Sequence, residues 1–182
     1  MACVLNRSTF EIRYSTNTPE YGVEDWVINP DLSPVSGVET KYWKLTGDVL
    51  SEMNQSEKDA VDAACLPACR ETKLAAITAR TYELISGGFT FATKQFSLSQ
   101  AAQTQMIGLN MVREDENVTW PVVWSTLDDD DCYNIPDAAT FYSFYMTAMG
   151  TYRYYFDTGA TLKASVRAAT TIAEVDAVVD ER

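Results

Sequence analysis

Along residues 141–169, apolar and aromatic side chains recur at alternating spacings of four and three. They are Phe141, Tyr145, Ala148, Tyr152, Tyr155, Gly159, Leu162, Val166 and Ala169. This is the seam of a coiled coil or of one helix in an antiparallel bundle, and it predicts one long helix, bent at most at Gly159. Asp137 stands before it as an N-cap, and Arg153, Lys163 and Arg167 fall off the seam. Thr171-Ile172-Ala173-Glu174 spells a capping box that opens a short terminal helix.

A second helical pattern runs through residues 57–86, with Ser56 as its expected N-cap and Leu74, Ile77, Leu84 and Ile85 on its apolar face. Pro67 lies deep inside it and predicts a kink or break near residues 64–66. Gly87-Gly88 closes this helix, because glycine takes the positive φ of a helix C-terminus without strain. A hairpin follows, with strands at residues 89–91 and 95–98 about a turn at Ala92-Thr93-Lys94. Ser97 or Ser99 then caps a further helix over residues 100–113. Residues 80–113 thus form a helix–hairpin–helix nucleus with short loops.

The N-terminal third carries strand patterns instead. Cys3-Val4-Leu5 and residues 10–14 read as a terminal hairpin. Residues 41–45 and 48–50 flank Thr46-Gly47 as another. Between them residues 15–37 hold Pro19, Pro30 and Pro34 among scattered aromatics, which predicts an extended, irregular arm whose aromatics need a surface to pack on. Residues 118–124 form a strand-like run in which Pro121 predicts an edge or bulge. The whole is expected to be α+β, with a docking segment at residues 1–55 and a mainly helical domain at residues 56–182.

Composition narrows the function. Apolar residues are 46% of the 182, enough for a real core. The net charge is −12, without clusters of Lys and Arg, which argues against nucleic-acid binding. Residues 114–137 hold eight acidic and no basic side chains. There is no apolar run long enough for a membrane span and no apolar core of a secretory signal at the N-terminus. Cys3, Cys65, Cys69 and Cys132 are expected as buried free thiols, since i,i+4 spacing in a helix suits a disulfide poorly.

Chemistry is hard to place. The chain contains no histidine, which removes Ser-His-Asp and Cys-His arrangements and Cys₂His₂ zinc sites. There is no phosphate-binding glycine loop and no Ser-x-x-Lys pair. Catalytic, cofactor-binding and metal-ligating residues are therefore expected to be none. Asp128, Asp129, Asp130 and Asp131 with Asp137 form an oxygen-rich set. Consecutive aspartates cannot all face one ion, so a solvated turn outweighs a Ca²⁺ or Mg²⁺ site. A carbohydrate site with aromatic walls and paired carboxylates would have to lie in residues 120–133, around Trp124. The aromatic residues carry more. Phe141, Tyr142, Phe144, Tyr145, Tyr152, Tyr154, Tyr155 and Phe156 exceed what one helix face can bury. Tyr142 and Tyr154 off the seam, with Tyr21, Trp26, Tyr42 and Trp43 in the first third, are the candidate interface residues.

Trp26-Val27-Ile28-Asn29-Pro30-Asp31-Leu32-Ser33, then Lys41-Tyr42-Trp43-Lys44 and M-N-Q-S-E-K-D-A-V-D-A at residues 53–63, resemble a module of tailed-bacteriophage structural proteins found near tail fibres. From Arg80 through L-I-x-x-G-F and A-A-Q-T-Q-M-I-G-L to Ala168-Ala169-Thr170-Thr171 the chain is similar to an uncharacterised phage domain that accompanies tail-fibre proteins. The resemblance implies a non-enzymatic virion component, assembled in a bacterial cytoplasm and held to other tail, fibre, neck or capsid proteins, with homo-oligomers expected. A capsid decoration protein and a tail-fibre assembly chaperone that leaves the particle are the alternatives. Pro67 and its flanking cysteines depart from the smooth helix that the resemblance implies there.

Overall fold

The computed structural model describes Met1–Arg182, with Pro19 by its backbone alone. The protein is α+β and divides into two compact units, Met1–Pro67 and Ala68–Arg182.

In the first unit β1 (Ala2–Asn6) is the centre of a three-stranded antiparallel sheet, flanked by β2 (Ile12–Ser15) and β3 (Trp26–Ile28). The third strand lies inside the segment expected to be irregular. Its pairing partners are twenty or more residues away, so local pattern does not show it. Leu5 stands opposite Ile12 on one side and Val27 on the other, so period-two alternation puts these three on one face. That face packs with Val35, Leu50, Phe10 and Trp43 as a small core. The hairpin of β4 (Trp43–Thr46) and β5 (Val49–Glu52) contributes Trp43, Leu45 and Leu50 to it. Arg7 ties three loops together: its Nε donates to the Val23 carbonyl at 2.9 Å, one terminal nitrogen donates to the Gly47 carbonyl at 2.8 Å, and the other pairs with Asp48.

Helix α1 (Gln55–Ser86) begins in this unit and continues into the second. Its cap is Asn54 and not the expected Ser56. Asn54 Oδ1 accepts the Glu57 N–H at 3.0 Å, and Glu57 Oε2 accepts the Asn54 N–H at 2.9 Å. The acid three residues on decides between two good caps by making the bond reciprocal. The break expected near residues 64–66 is absent. Pro67 cannot donate to the carbonyl four residues before it, yet α1 stays helical on both sides. The division between the units falls at Pro67, because Glu57, Lys58 and Asp62 on the first turns of α1 bond to Lys44, Glu52 and Tyr42 of the first unit.

In the second unit β6 (Phe89–Phe91) and β7 (Lys94–Phe96) form a hairpin directly after α1. Ala92 and Thr93 both have positive φ, a two-residue turn that starts the return strand one residue earlier than expected. Gly88 has φ +77°, and a Cβ there would sit 2.0 Å from the Phe96 carbonyl oxygen, so the residue between helix and hairpin has to be glycine. Ser99 caps α2 (Gln100–Val112), accepting the Ala102 N–H at 3.2 Å. The hairpin of β8 (Val122–Ser125) and β9 (Cys132–Ile135) starts just after the cis Trp120–Pro121 peptide and joins the first hairpin through Leu127 N–H to the Gln95 carbonyl, 2.9 Å.

Asp137 caps α3 (Ala138–Ala168), and the Thr171–Glu174 box caps α4 (Ile172–Asp176). Every member of the expected seam on α3 is buried or half-buried, and Phe144, which that seam omits, is fully buried beside Phe141. Rings of Phe89, Phe96, Phe91 and Trp124 lie 5.0, 5.0, 5.4 and 5.4 Å from Phe144. Burying one such ring contributes up to about 3 kcal/mol. The cysteines depart from expectation: all four are free thiols, but Cys65 and Cys132 are exposed and Cys3 and Cys69 only half-buried. Cys132 lies on the β9 face opposite Tyr133 and Ile135, whereas Cys3 shares the Leu5 face of β1 at the margin of the small core.

Within this unit α1 and α3 run antiparallel. Arg70 on α1 donates to the Ala169 carbonyl just past the end of α3, while Tyr82 meets Phe156 edge to face at 6.4 Å. They approach closely at Gly159, where a Cβ would lie 2.7 Å from Thr81 Oγ1 and 2.8 Å from Arg182 Nη1. Arg182 fills the remaining gap, donating to the Tyr155 carbonyl at 2.8 Å and to Asp180 Oδ2 at 2.6 Å. Gly150 on the same helix has open space around it. Alanine is therefore expected to act oppositely at the two sites. Gly150→Ala raises unfolding free energy by about 0.5–1 kcal/mol through helix propensity, and Gly159→Ala lowers it by about 1–2 kcal/mol through overpacking. Urea unfolding of both variants checks the signs.

Candidate functional site

The six candidate interface residues fall into separate places. In the first unit, alternation puts Arg13, Trp26 and Ile28 on the sheet face opposite the core, around the fully buried Val4. Tyr21 packs edge to face on Trp26 with ring centres 5.0 Å apart, and the Arg13 guanidinium lies 5.3 Å from the Trp26 ring. Glu11 holds Arg13 in place with two bonds of 2.8 and 3.0 Å. Tyr21 and Trp26 remain half-exposed, so this is a pre-ordered aromatic and cationic surface. Preordering lowers the side-chain entropy lost when such rings are covered by a partner.

Tyr42 and Trp43 are adjacent in sequence but differ in role. The Trp43 indole donates to the Val38 carbonyl at 2.9 Å and meets Phe10 edge to face within the core, so it works inside the fold. The Tyr42 hydroxyl lies 2.8 Å from each oxygen of Asp62. Lys41 Nζ is 3.1 Å from Asp62 and 4.5 Å from the Tyr42 ring centre, with Lys58 Nζ at 5.4 Å on the same ring. The phenol and then the Lys41 ammonium hold the Asp62 carboxyl below the usual aspartate range, and Tyr42 together with Asp62 raises Lys41. Arg13 and Asp62 escape a sequence search for aromatic anchors, since only the pairing register and the helix cap bring them to those rings.

The acidic turn of residues 128–131 does not converge on one point. Asp128 Oδ1 accepts the Thr126 hydroxyl at 2.7 Å, and Asp131 pairs with Lys94 and accepts the Cys132 N–H at 2.7 Å. These partners hold both carboxyls below their ordinary range. Asp137 is occupied as the α3 cap, accepting the Thr140 N–H at 2.7 Å. No three acidic or cysteine side chains among the described residues come together as a metal site. Trp120, Trp124 and Tyr133 pack on the Phe141–Phe144 core, so residues 120–133 do not form the aromatic-walled groove that a carbohydrate would need.

Arg113, at the end of α2, places its guanidinium 4.7 Å from the ring centre of Tyr142 on α3. Tyr154 borders an open depression of about 580 Å³ with Asp157, Thr161, Val179 and Arg182. Twelve residues separate the two tyrosines, about 18 Å along the helix. They do not form one surface. Residues 68–179 match a domain of unknown function, DUF4376. The chain belongs to that family. Searches among curated proteins and among solved structures found no match. The DUF4376 domain begins at the residue after Pro67, where the second compact unit also begins. Tyr142 and Tyr154 lie within it, and Tyr21, Trp26, Tyr42 and Trp43 lie in the unit that precedes it. Among the described residues no helix is long and apolar enough to cross a membrane.

The Tyr42–Asp62 contact has a pH signature. A carboxyl whose pKa is depressed in the folded protein adds stability above its unfolded pKa, about 3.9 for aspartate, and loses it as pH falls through the folded value. Tyr42→Phe removes the largest cause of the depression. Its unfolding free energy is expected to drop relative to the parent at neutral pH, and the gap to narrow below about pH 4. Denaturation at a series of pH values reads this directly.

Proposed function

We propose that this chain is a non-enzymatic structural protein of a tailed-phage particle, associated with the tail, fibre or neck and held there by protein–protein contacts. The first unit docks on a neighbouring virion protein, and the DUF4376 domain is carried on that attachment. The observation that carries the reading is the ordered Arg13–Tyr21–Trp26 surface, an aromatic cluster with a fixed guanidinium on the face of the sheet turned away from the core. Tyrosine, tryptophan and arginine are enriched among the residues that dominate binding energy at protein interfaces. The rings cover large area at low entropy cost, and the guanidinium adds a fork of hydrogen-bond donors. The resemblance of the segments from Trp26 to Ala63 to phage structural modules supports a virion protein as the partner class. Tyr42, fixed by Asp62, is a second contact residue of the same unit, whereas Trp43 supports the fold from inside.

Quantitative mass spectrometry of gradient-purified particles from the source virus tests the reading. The protein is expected in the particle at tens of copies or fewer. Hundreds of copies would place it on the capsid as a decoration protein, and absence would make it an assembly chaperone. The attachment surface is tested with the full chain carrying Tyr21→Ala and Trp26→Ala, since removing residues 1–37 would take away the whole first sheet. The double variant is expected to stay folded and to be lost from particles at least about thirtyfold, the equivalent of one hot-spot residue. Normal incorporation of that variant would sink the docking assignment.

A further inference from the structure

Ten of the fourteen lysines and arginines sit within ion-pairing distance of a carboxylate. Among the described residues the four without such a partner are Arg70, Lys73, Lys163 and Arg167, all on α1 or α3 of the second unit. They stay without a carboxylate partner in a chain of net charge −12, where acids outnumber bases almost two to one. Lys163 and Arg167 line one cavity of about 270 Å³ between the two helices. Its floor is the close approach of Gly159 to Thr81, and its far wall is Tyr82 against Phe156. The stripe is set by helix geometry, because Phe156, Gly159, Lys163 and Arg167 follow at intervals of three and four. Like charges at i,i+4 repel, so the pair destabilises the isolated helix. The C-terminal end of α3 accounts for Arg167 in the last turn. It does not account for Lys163, which is half-buried more than a turn earlier.

The complementary charge is on the same chain. Asp129 and Asp130 are exposed and have no cation within ion-pairing distance among the described residues, while Asp131 is taken by Lys94. A single molecule does not bring the two together. The β8–β9 hairpin packs on Phe144 through Trp124, and its turn is bound to Lys94 on β7. Lys163 is nineteen residues beyond Phe144, about 28 Å along α3. We infer that the Lys163–Arg167 groove receives the Asp129–Asp130 turn of a second copy, a head-to-tail contact. Such a contact uses two different surfaces and so repeats from copy to copy, closing a ring or extending a filament according to the rotation between neighbours. Copies with this net charge repel at long range. At about 0.1 M salt that repulsion is screened beyond about 10 Å, whereas ion pairs at a partly buried groove are screened much less. The inference does not rest on the virion role.

The test is a charge swap in the full-length protein, read by sedimentation velocity at about 0.1 M salt, where the Debye length is about 10 Å. The parent is expected to associate. The groove variant Lys163→Glu, Arg167→Glu and the turn variant Asp129→Lys, Asp130→Lys are each expected to associate at least about tenfold more weakly. Mixed together they are expected to recover association, because each then offers a surface complementary to the other. The neutral variant Lys163→Gln, Arg167→Gln is expected to weaken association without recovery on mixing, and circular dichroism confirms that each variant is folded. A monomeric parent, or association that neither pair of reversals changes, overturns the proposal. So does a parent that stays monomeric while its groove binds a free poly-glutamate peptide, which would give the groove to a foreign acidic segment.

Discussion

The Phe144 ring is the contact on which the second unit depends. Rings from both hairpins and from the preceding turn of α3 meet it within about one ring diameter, in edge-to-face and tilted arrangements that suit aromatic quadrupoles. Among the aromatic pairs of the described residues, the Phe144 ring is the one that joins β6, β7, β8 and α3. Each hairpin has only two strands and would be marginal alone in water. They hold their shape because each places aromatic side chains on the same helix. Gly88 serves this arrangement from the other side: without a Cβ it lets the chain leave α1 and pass the Phe96 backbone at a distance no other residue allows.

Short-range signals were legible before the fold was known. Gly87-Gly88, Ser99, Asp137 and the Thr171–Glu174 box each act within a few residues, and each stands where the local chemistry puts it. What the sequence concealed depends on residues far apart. The β3 strand exists because β1 offers it an open edge, and Pro30 just after it disguises it as part of a loop. A strict alternation of four and three omits Phe144, because α3 faces neighbours on more than one side and its buried stripe is wider than a two-position seam. Asn54 prevailed over Ser56 as a cap for a reason visible only when Glu57 is seen bonding back to it.

The surfaces show the same division. Composition names aromatic residues but does not say which way they face, and Trp43 turned inward while Tyr42 beside it was fixed at the surface by Asp62. The charge imbalance of residues 114–137 was plain. That Asp128, Asp131 and Asp137 are answered one at a time, by Thr126, Lys94 and the start of α3, is a property of the tertiary structure. The unpaired cations were hidden for the same reason, since an ion pair is a relation between segments and a sequence shows only its halves.

Helix α1 carries two possible beginnings. Asn54 and Glu57 start it as it stands. Pro67 would serve equally as the first residue of a shorter helix, since proline is favoured at that position, where its missing N–H has no partner to lose. The compact division of the chain and the start of the family match both fall at this point. Pro67 therefore marks a natural splice joint: a graft that replaces everything before it would leave the second segment of α1 with its own start signal, so the DUF4376 domain can be carried behind a different leading module without redesign of its first helix.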